Sequence, residues 1–302
     1  MKKKITWLLF HEPAELFIRT AEEFASILNK LTDNSYEFEI LELEEYEKRY
    51  YDGQACDPLQ ELRSGRVQMS QLYIETLANA NVTNFNSLSL PYLFRDHDHA
   101  TRVFEGEIGT ELLDHVHETI GIKGLSFTYS GGYKCMAVNQ PIKDIEDFSG
   151  LTFRSITNSL TVDVFRALGA KPTEDIADFK DTTLPRYGAD CLPSQSVAVK
   201  TDHAMYLTTI LANSTLIDEL SDEHLAAFYQ AAKQAAHAER IKSVQDAEEI
   251  AQNVSLQRSL NIQQLITLTA AQHAQLKQLL TPVLNKWKPY FPNALVERIQ
   301  TA

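Results

Sequence analysis

The chain has 302 residues, 44% of them apolar, which is enough to bury a large core and fits two domains better than one. Its formal net charge is -13 and no basic run follows Lys2-Lys3-Lys4, so the clustered cations that sequence-independent nucleic-acid binding needs are missing. Cys56, Cys135 and Cys191 are odd in number, far apart and without metal or redox spacing, and read as free thiols.

The first strand is Ile5 to Phe10, followed by a loop at His11-Glu12-Pro13. Ala14, Phe17, Ile18, Ala21, Phe24, Ala25, Leu28 and Leu31 then form the stripe of an amphipathic helix. Tyr36, Phe38, Ile40 and Leu41 alternate with Glu, as a strand does. Strand, helix, strand opens a parallel sheet. A polar connection from Glu44 to Asp57 leads to a short helix at Pro58 to Arg63, a third strand around Val67 to Ile74, and a loop holding Tyr73 and Glu75. One helix is expected behind Asp96, with the stripe Val103, Phe104, Ile108, Leu112, Leu113 and Val116.

From Gly124 to Pro172 the pattern is a strand, a Gly131-Gly132 break, a second strand, a turn, a third short strand and a helix. Asp178 to Pro185 reads as a helix and Tyr187 to Asp190 as a strand, with Val197 to Val199 continuing it. A long helix runs from Asp222 to about Leu260, and another from Ala270 to Trp287. No apolar run approaches the ~18 residues of a membrane span, which disfavours direct membrane insertion. Ile5 to Phe10 is too short for a secretory signal, so either the protein works in the cytoplasm or a leader was removed ahead of Met1.

Two cations, Lys134 and Arg154, fall where strand patterns stop or turn, the position at which α/β proteins place ligand-holding groups. Arg presents a planar donor fork that matches a carboxylate. The same arginine could instead brace the scaffold against a neighbouring Asp or Glu. Thr157 and Asn158 read first as a helix start, although such an end also holds anions. Asp96-His97-Asp98-His99 contains metal-ligand types, but it opens a helix, where Asp caps, and lacks the spacing that aligns two His on one face. No metal or cofactor is expected. There is no Gly-x-Ser-x-Gly elbow, phosphate loop or dinucleotide fingerprint.

In order along the chain, LPYLFRDHDHATRVFEGEIGTELL (90–113), PIKDIEDFSGLTFR (141–154) and GAKPT (169–173) resemble the solute-binding proteins of TRAP (tripartite ATP-independent periplasmic) transporters, of the dicarboxylate-receptor type. The resemblance runs from about Ile5 to Arg240. It implies a two-lobed α/β fold like that of periplasmic binding proteins, with a hinge and a long helix spanning both lobes. The lobes would be residues 1–127 with 213–252, and 128–212 with 253–302. It further implies a periplasmic transport protein, not an enzyme, that closes its lobes on a small organic acid and delivers it to membrane transporter subunits. A ligand-sensing component of a signalling system and an enzyme acting on a carboxylated substrate are the alternatives.

The arginine that ends the family's Gly-Leu-x-x-Arg strand falls on Arg154 and is implied to grip the substrate carboxylate. A second family cation, usually arginine, falls on Lys134, which supplies a point charge and no fork. The family's asparagine contact has no clear counterpart in Gly188 to Gln195, where Ser194 or Gln195 could stand in. His11, Glu12, Tyr73 and Glu75 lie in regions that line the site in this architecture, and Asn158 completes the candidates.

Overall fold

The computed structural model describes residues 2–154 and 158–302. Among the described residues ten strands run in chain order: β1 Lys3–Leu9, β2 Tyr36–Glu42, β3 Met69–Tyr73, β4 Ile122–Val138, β5 Thr152–Arg154, β6 Lys171–Thr173, β7 Phe179–Thr183, β8 Val197–Lys200, β9 Met205–Asn213 and β10 Gln264–Thr267. The chain divides into two compact units. Unit 1 holds Met1–Thr83, Thr101–Thr128 and Leu207–Ile241; unit 2 holds Asn84–Ala100, Tyr129–Tyr206 and Lys242–Ala302. Relative to the ranges read from sequence, 84–100 and 242–252 fall in the second unit and 128 and 207–212 in the first, so the long helix Asp222–Gln252 contributes residues to both.

In unit 1 the strand order is β2-β1-β3-β9, with β1 parallel to both neighbours and β3 antiparallel to β9. The helix Glu15–Leu31 lays its apolar stripe on this sheet: Phe17, Ala21, Phe24 and Leu28 are fully buried, with Phe24 5.3 Å from the Trp7 ring. Phe228, Ala231 and Ala235 of the long helix close the same core.

In unit 2, β4 lies between β7 and β8, both antiparallel to it; β5 and β6 extend the sheet beyond β7, and β10 beyond β8. Phe148, Phe153, Phe165 and Phe179 fill one core with ring centroids 5.0 to 6.3 Å apart, in the edge-on geometry that aromatic quadrupoles favour. Among the described residues, no helix is long and apolar enough to cross a membrane.

Several elements differ from the sequence reading. The expected polar connection after Glu44 is a helix, Leu43–Tyr51; it buries Tyr46 alone and is otherwise held by exposed Glu44–Lys48 and Glu45–Arg49 pairs. The single helix behind Asp96 is two, His97–Glu105 and Glu107–Ile120, because Gly106 between them is extended. The assignments at 178–190 are reversed. Phe179–Thr183 is a strand, recruited by its pairing with β4, and Tyr187–Asp190 is one helical turn. The strand β9, which joins the unit 1 sheet beside β3, has no counterpart in the sequence reading. The long helix stops at Gln252 because Asn253 leaves helical geometry and caps the next helix by accepting from Ser255 and Leu256 N–H.

Candidate functional site

Arg154 owes its position to the two-residue period of β5. Phe153 points into the aromatic core, so Thr152 and Arg154 must point the other way. Thr152 is fixed there by Asp178, whose carboxylate accepts from both its N–H (2.8 Å) and its hydroxyl (2.7 Å). Arg154, opposite Thr173 in the parallel register, is exposed, and no described residue makes an ion pair or hydrogen bond with it. Arg154 lines a cavity of about 660 Å³. That volume is in the range that takes a small organic ligand.

The other cations around this cavity are already engaged. Lys134 is not at a strand end, as the sequence reading had it, but inside β4 opposite Thr183 and almost fully buried. Its Nζ lies 2.9 Å from Asp181 Oδ2, and 4.8 Å above the Tyr206 ring. Arg186 donates to both oxygens of Asp190, Nε to Oδ2 at 2.9 Å and Nη2 to Oδ1 at 2.8 Å, and to Ser130 Oγ through Nη1. Its guanidinium also sits 4.9 Å from the centre of the Tyr206 ring. Asp181, Asp190 and Tyr206 all line the cavity, together with Lys180, whose Nζ donates to the Asp190 carbonyl at 3.0 Å.

Burial pushes the Asp181 carboxyl up, but the Lys134 charge outweighs it, and the group titrates below the usual carboxylate range. Burial drives the neighbouring His203 down to about 4, so it is neutral at pH 7.

Gln195 lines the cavity, but its amide is spent within the protein: Nε2 donates to the Ala177 carbonyl and Oε1 accepts from Leu192 N–H, both at 3.1 Å. Ser194 is exposed and does not line it. Asn158 caps the helix Ser159–Ala167 by accepting from Leu160 and Thr161 N–H. Thr157 lies outside the described residues.

The remaining candidates form a separate cluster in unit 1. The His11 and Tyr73 rings stack with centroids 3.8 Å apart; Tyr73 N–H donates to His11 Nε2 at 3.3 Å, and Tyr73 OH to the Glu12 carbonyl at 3.3 Å. Glu12 Oε2 accepts from Ala14 N–H. Tyr73 ends β3 and Glu75 lies in the first turn of the helix Ile74–Asn79, so the loop expected for both is absent. Beneath them Gln71 Nε2 donates to the hydroxyls of Thr128 and Thr208, at 2.8 and 2.9 Å.

The structure therefore brings Arg154 and Gln195 to one cavity, with Lys134 behind its Asp181 and Tyr206 wall. Sequence reasoning missed Asp181, Arg186 and Tyr206. Arg186 and Asp190 stand at i, i+4 spacing, a visible signal; Asp181 and Tyr206 reach the site only through strand pairing.

A family model described as bacterial extracellular solute-binding protein, family 7, matches residues 13–175. The C4-dicarboxylate-binding periplasmic protein DctP of Rhodobacter capsulatus is 31% identical over 152 residues, which cover 50% of this chain and 43% of that protein. The chain spans about half the length of the curated relatives it matches, between 42% and 64% for the first four. A TRAP periplasmic solute-binding protein from Ochrobactrum anthropi superposes with a TM-score of 0.82 over 99% of this chain and 94% of that one, at 20% identity. Another, from Shewanella oneidensis with bound succinate, gives 0.81 over 100% and 99%, also at 20% identity.

Proposed function

From the premise that this chain belongs to family 7 of the bacterial extracellular solute-binding proteins, we propose that it captures a small organic acid through a carboxylate held by Arg154. It then hands the acid to the membrane subunits of a TRAP-type transporter, working in the periplasm. The observation that carries the reading is an exposed arginine with no described partner, lining a cavity of about 660 Å³. An arginine that braced the scaffold would face a carboxylate; Arg186 does, and Arg154 does not.

Around it the chain supplies a firm base. Phe153 anchors β5 in the aromatic core, and Asp178 ties Thr152 to the loop ahead of β7. A positioned fork loses little freedom when a carboxylate docks, so more of the charge-assisted hydrogen bonding appears as affinity. Gln195 acts through the backbone by holding the segments around Ala177 and Leu192, and the His11–Tyr73 stack makes a rigid aromatic surface within unit 1. Glu12 and Glu75 beside it suit ligand hydroxyls. Asn158 contributes by fixing the start of its helix.

The test is a thermal-shift screen of monocarboxylates, dicarboxylates, sugar acids and keto acids, followed by calorimetry on the hits. A ligand that binds only the folded state raises its stability by mass action. Stabilisation by an organic acid, lost in Arg154→Ala, is the expected result; no stabilisation by any organic anion refutes the reading.

A further inference from the structure

The charge pairing at the cavity wall points to a narrower ligand class. We infer that the protein selects hydroxylated monocarboxylates and discriminates against dicarboxylates, because Asp181 faces the cavity with its charge fixed by Lys134 and one oxygen left to accept a ligand hydroxyl. The inference rests on the carboxylate-capture reading above and specifies what the rest of the ligand must be.

A ligand's first carboxylate takes Arg154. A second carboxylate would need another cation, and the cavity offers little. Lys134 and Arg186 each face a carboxylate of the protein, and those two carboxylates, Asp181 and Asp190, line the cavity themselves. Lys180 donates to the Asp190 carbonyl, and its charge acts on the Asp181 carboxylate, which it helps to hold ionised. Glu174 and Asp175 add two more negative charges to the lining. An entering second carboxylate would meet fixed like charge in a partly desolvated space, where unit charges interact several-fold more strongly than in bulk water.

Asp181 also has unused capacity. Its Oδ2 accepts from Lys134 Nζ, while no described residue donates to its Oδ1. A carboxylate oxygen facing a cavity calls for a donor from the ligand. An ammonium would supply one, but it would sit beside the Lys134 charge 2.9 Å from the same carboxylate. A neutral hydroxyl satisfies the oxygen and adds no charge next to either member of the pair.

The experiment uses four-carbon acids of matched length, butyrate, erythronate and succinate, titrated into the intact protein by calorimetry, with Arg154→Ala and Asp181→Asn beside the parent. The inference expects erythronate to bind the parent at least tenfold more tightly than succinate or butyrate. Asp181→Asn should shrink the preference over succinate to threefold or less by removing the repulsion. Succinate binding as tightly as erythronate, with both lost in Arg154→Ala, overturns the inference and leaves the carboxylate reading standing. Failure of all three acids to bind at millimolar concentration overturns the inference; affinities indifferent to Arg154→Ala overturn the carboxylate reading with it. Because the parent series alone decides between the classes, poor folding of Asp181→Asn does not rescue the idea.

Discussion

Lys134 and Asp181 form a sheltered ion pair 2.9 Å long, their side chains 8% and 18% exposed. Removing one partner strands the other's charge. Lys134→Met is therefore expected to cost about 3–5 kcal/mol of folding stability, far above the ~1 kcal/mol ceiling of exposed pairs such as Lys48–Glu44. Urea denaturation checks it; a loss below about 1 kcal/mol would show that the pair is solvated in solution.

His203 sets a pH dependence that can be worked out with its sign. Its folded-state value, about 4, lies below the ordinary 6.5 because burial disfavours the charged ring. The unfolded chain thus binds the proton first. Stability is full above about pH 6.5 and falls as the pH drops toward 4, by about 3 kcal/mol over that window. The Asp181 contribution, from a group held below its ordinary value of 3.8, is lost only at still lower pH. His203→Gln should flatten the stability profile between pH 6.5 and 4; an unchanged slope would assign it to other groups.

Gly131 and Gly150 share a positive φ, +89° and +85°, but not their surroundings. A Cβ on Gly131 would lie 2.2 Å from Thr183 Oγ1, the hydroxyl that donates to the Ser130 carbonyl; a Cβ on Gly150 meets nothing within 4 Å. Gly150→Ala should cost only the left-handed backbone, about 1–2 kcal/mol. Gly131→Ala should cost clearly more, since β4 or Thr183 must shift, and differential scanning calorimetry ranks the two directly.

The two stand-ins that the sequence left open are separable. Gln195→Ala strands the Ala177 carbonyl and Leu192 N–H at the cavity wall, at about 1–3 kcal/mol for buried groups left unsatisfied, and is expected to weaken ligand binding with it. Ser194→Ala should change neither stability nor affinity. Equal effects from both would show that the loop acts as a unit.

Much of this was legible in the sequence wherever local signals were strong. The Phe17, Phe24, Leu28 stripe marked the first helix, and Arg154 stood out as a cation at the end of a short strand pattern and as the arginine of the Gly-Leu-x-x-Arg resemblance; that it faces a cavity came only with the structure. What escaped depends on partners distant in the chain. The segment Phe179–Thr183 mixes Thr with charge and looks like nothing in isolation; pairing with β4 makes it a strand and brings Asp181 to Lys134, 47 residues away. Lys134 was visible as a cation, but that its charge is already matched follows only from that register. Tyr206, which carries both Lys134 and Arg186 on its ring, belongs to a strand that the sequence did not announce.

The central claim is that Arg154 holds the ligand carboxylate. Calorimetry of Arg154→Ala against the parent, with the acid that most stabilises the parent, measures it directly. Loss of the guanidinium should cost about 2–5 kcal/mol of binding, at least thirtyfold in Kd, with the melting temperature of the unliganded protein little changed because no described residue depends on that side chain. An Arg154→Ala variant that binds the same acid as tightly as the parent would contradict the account.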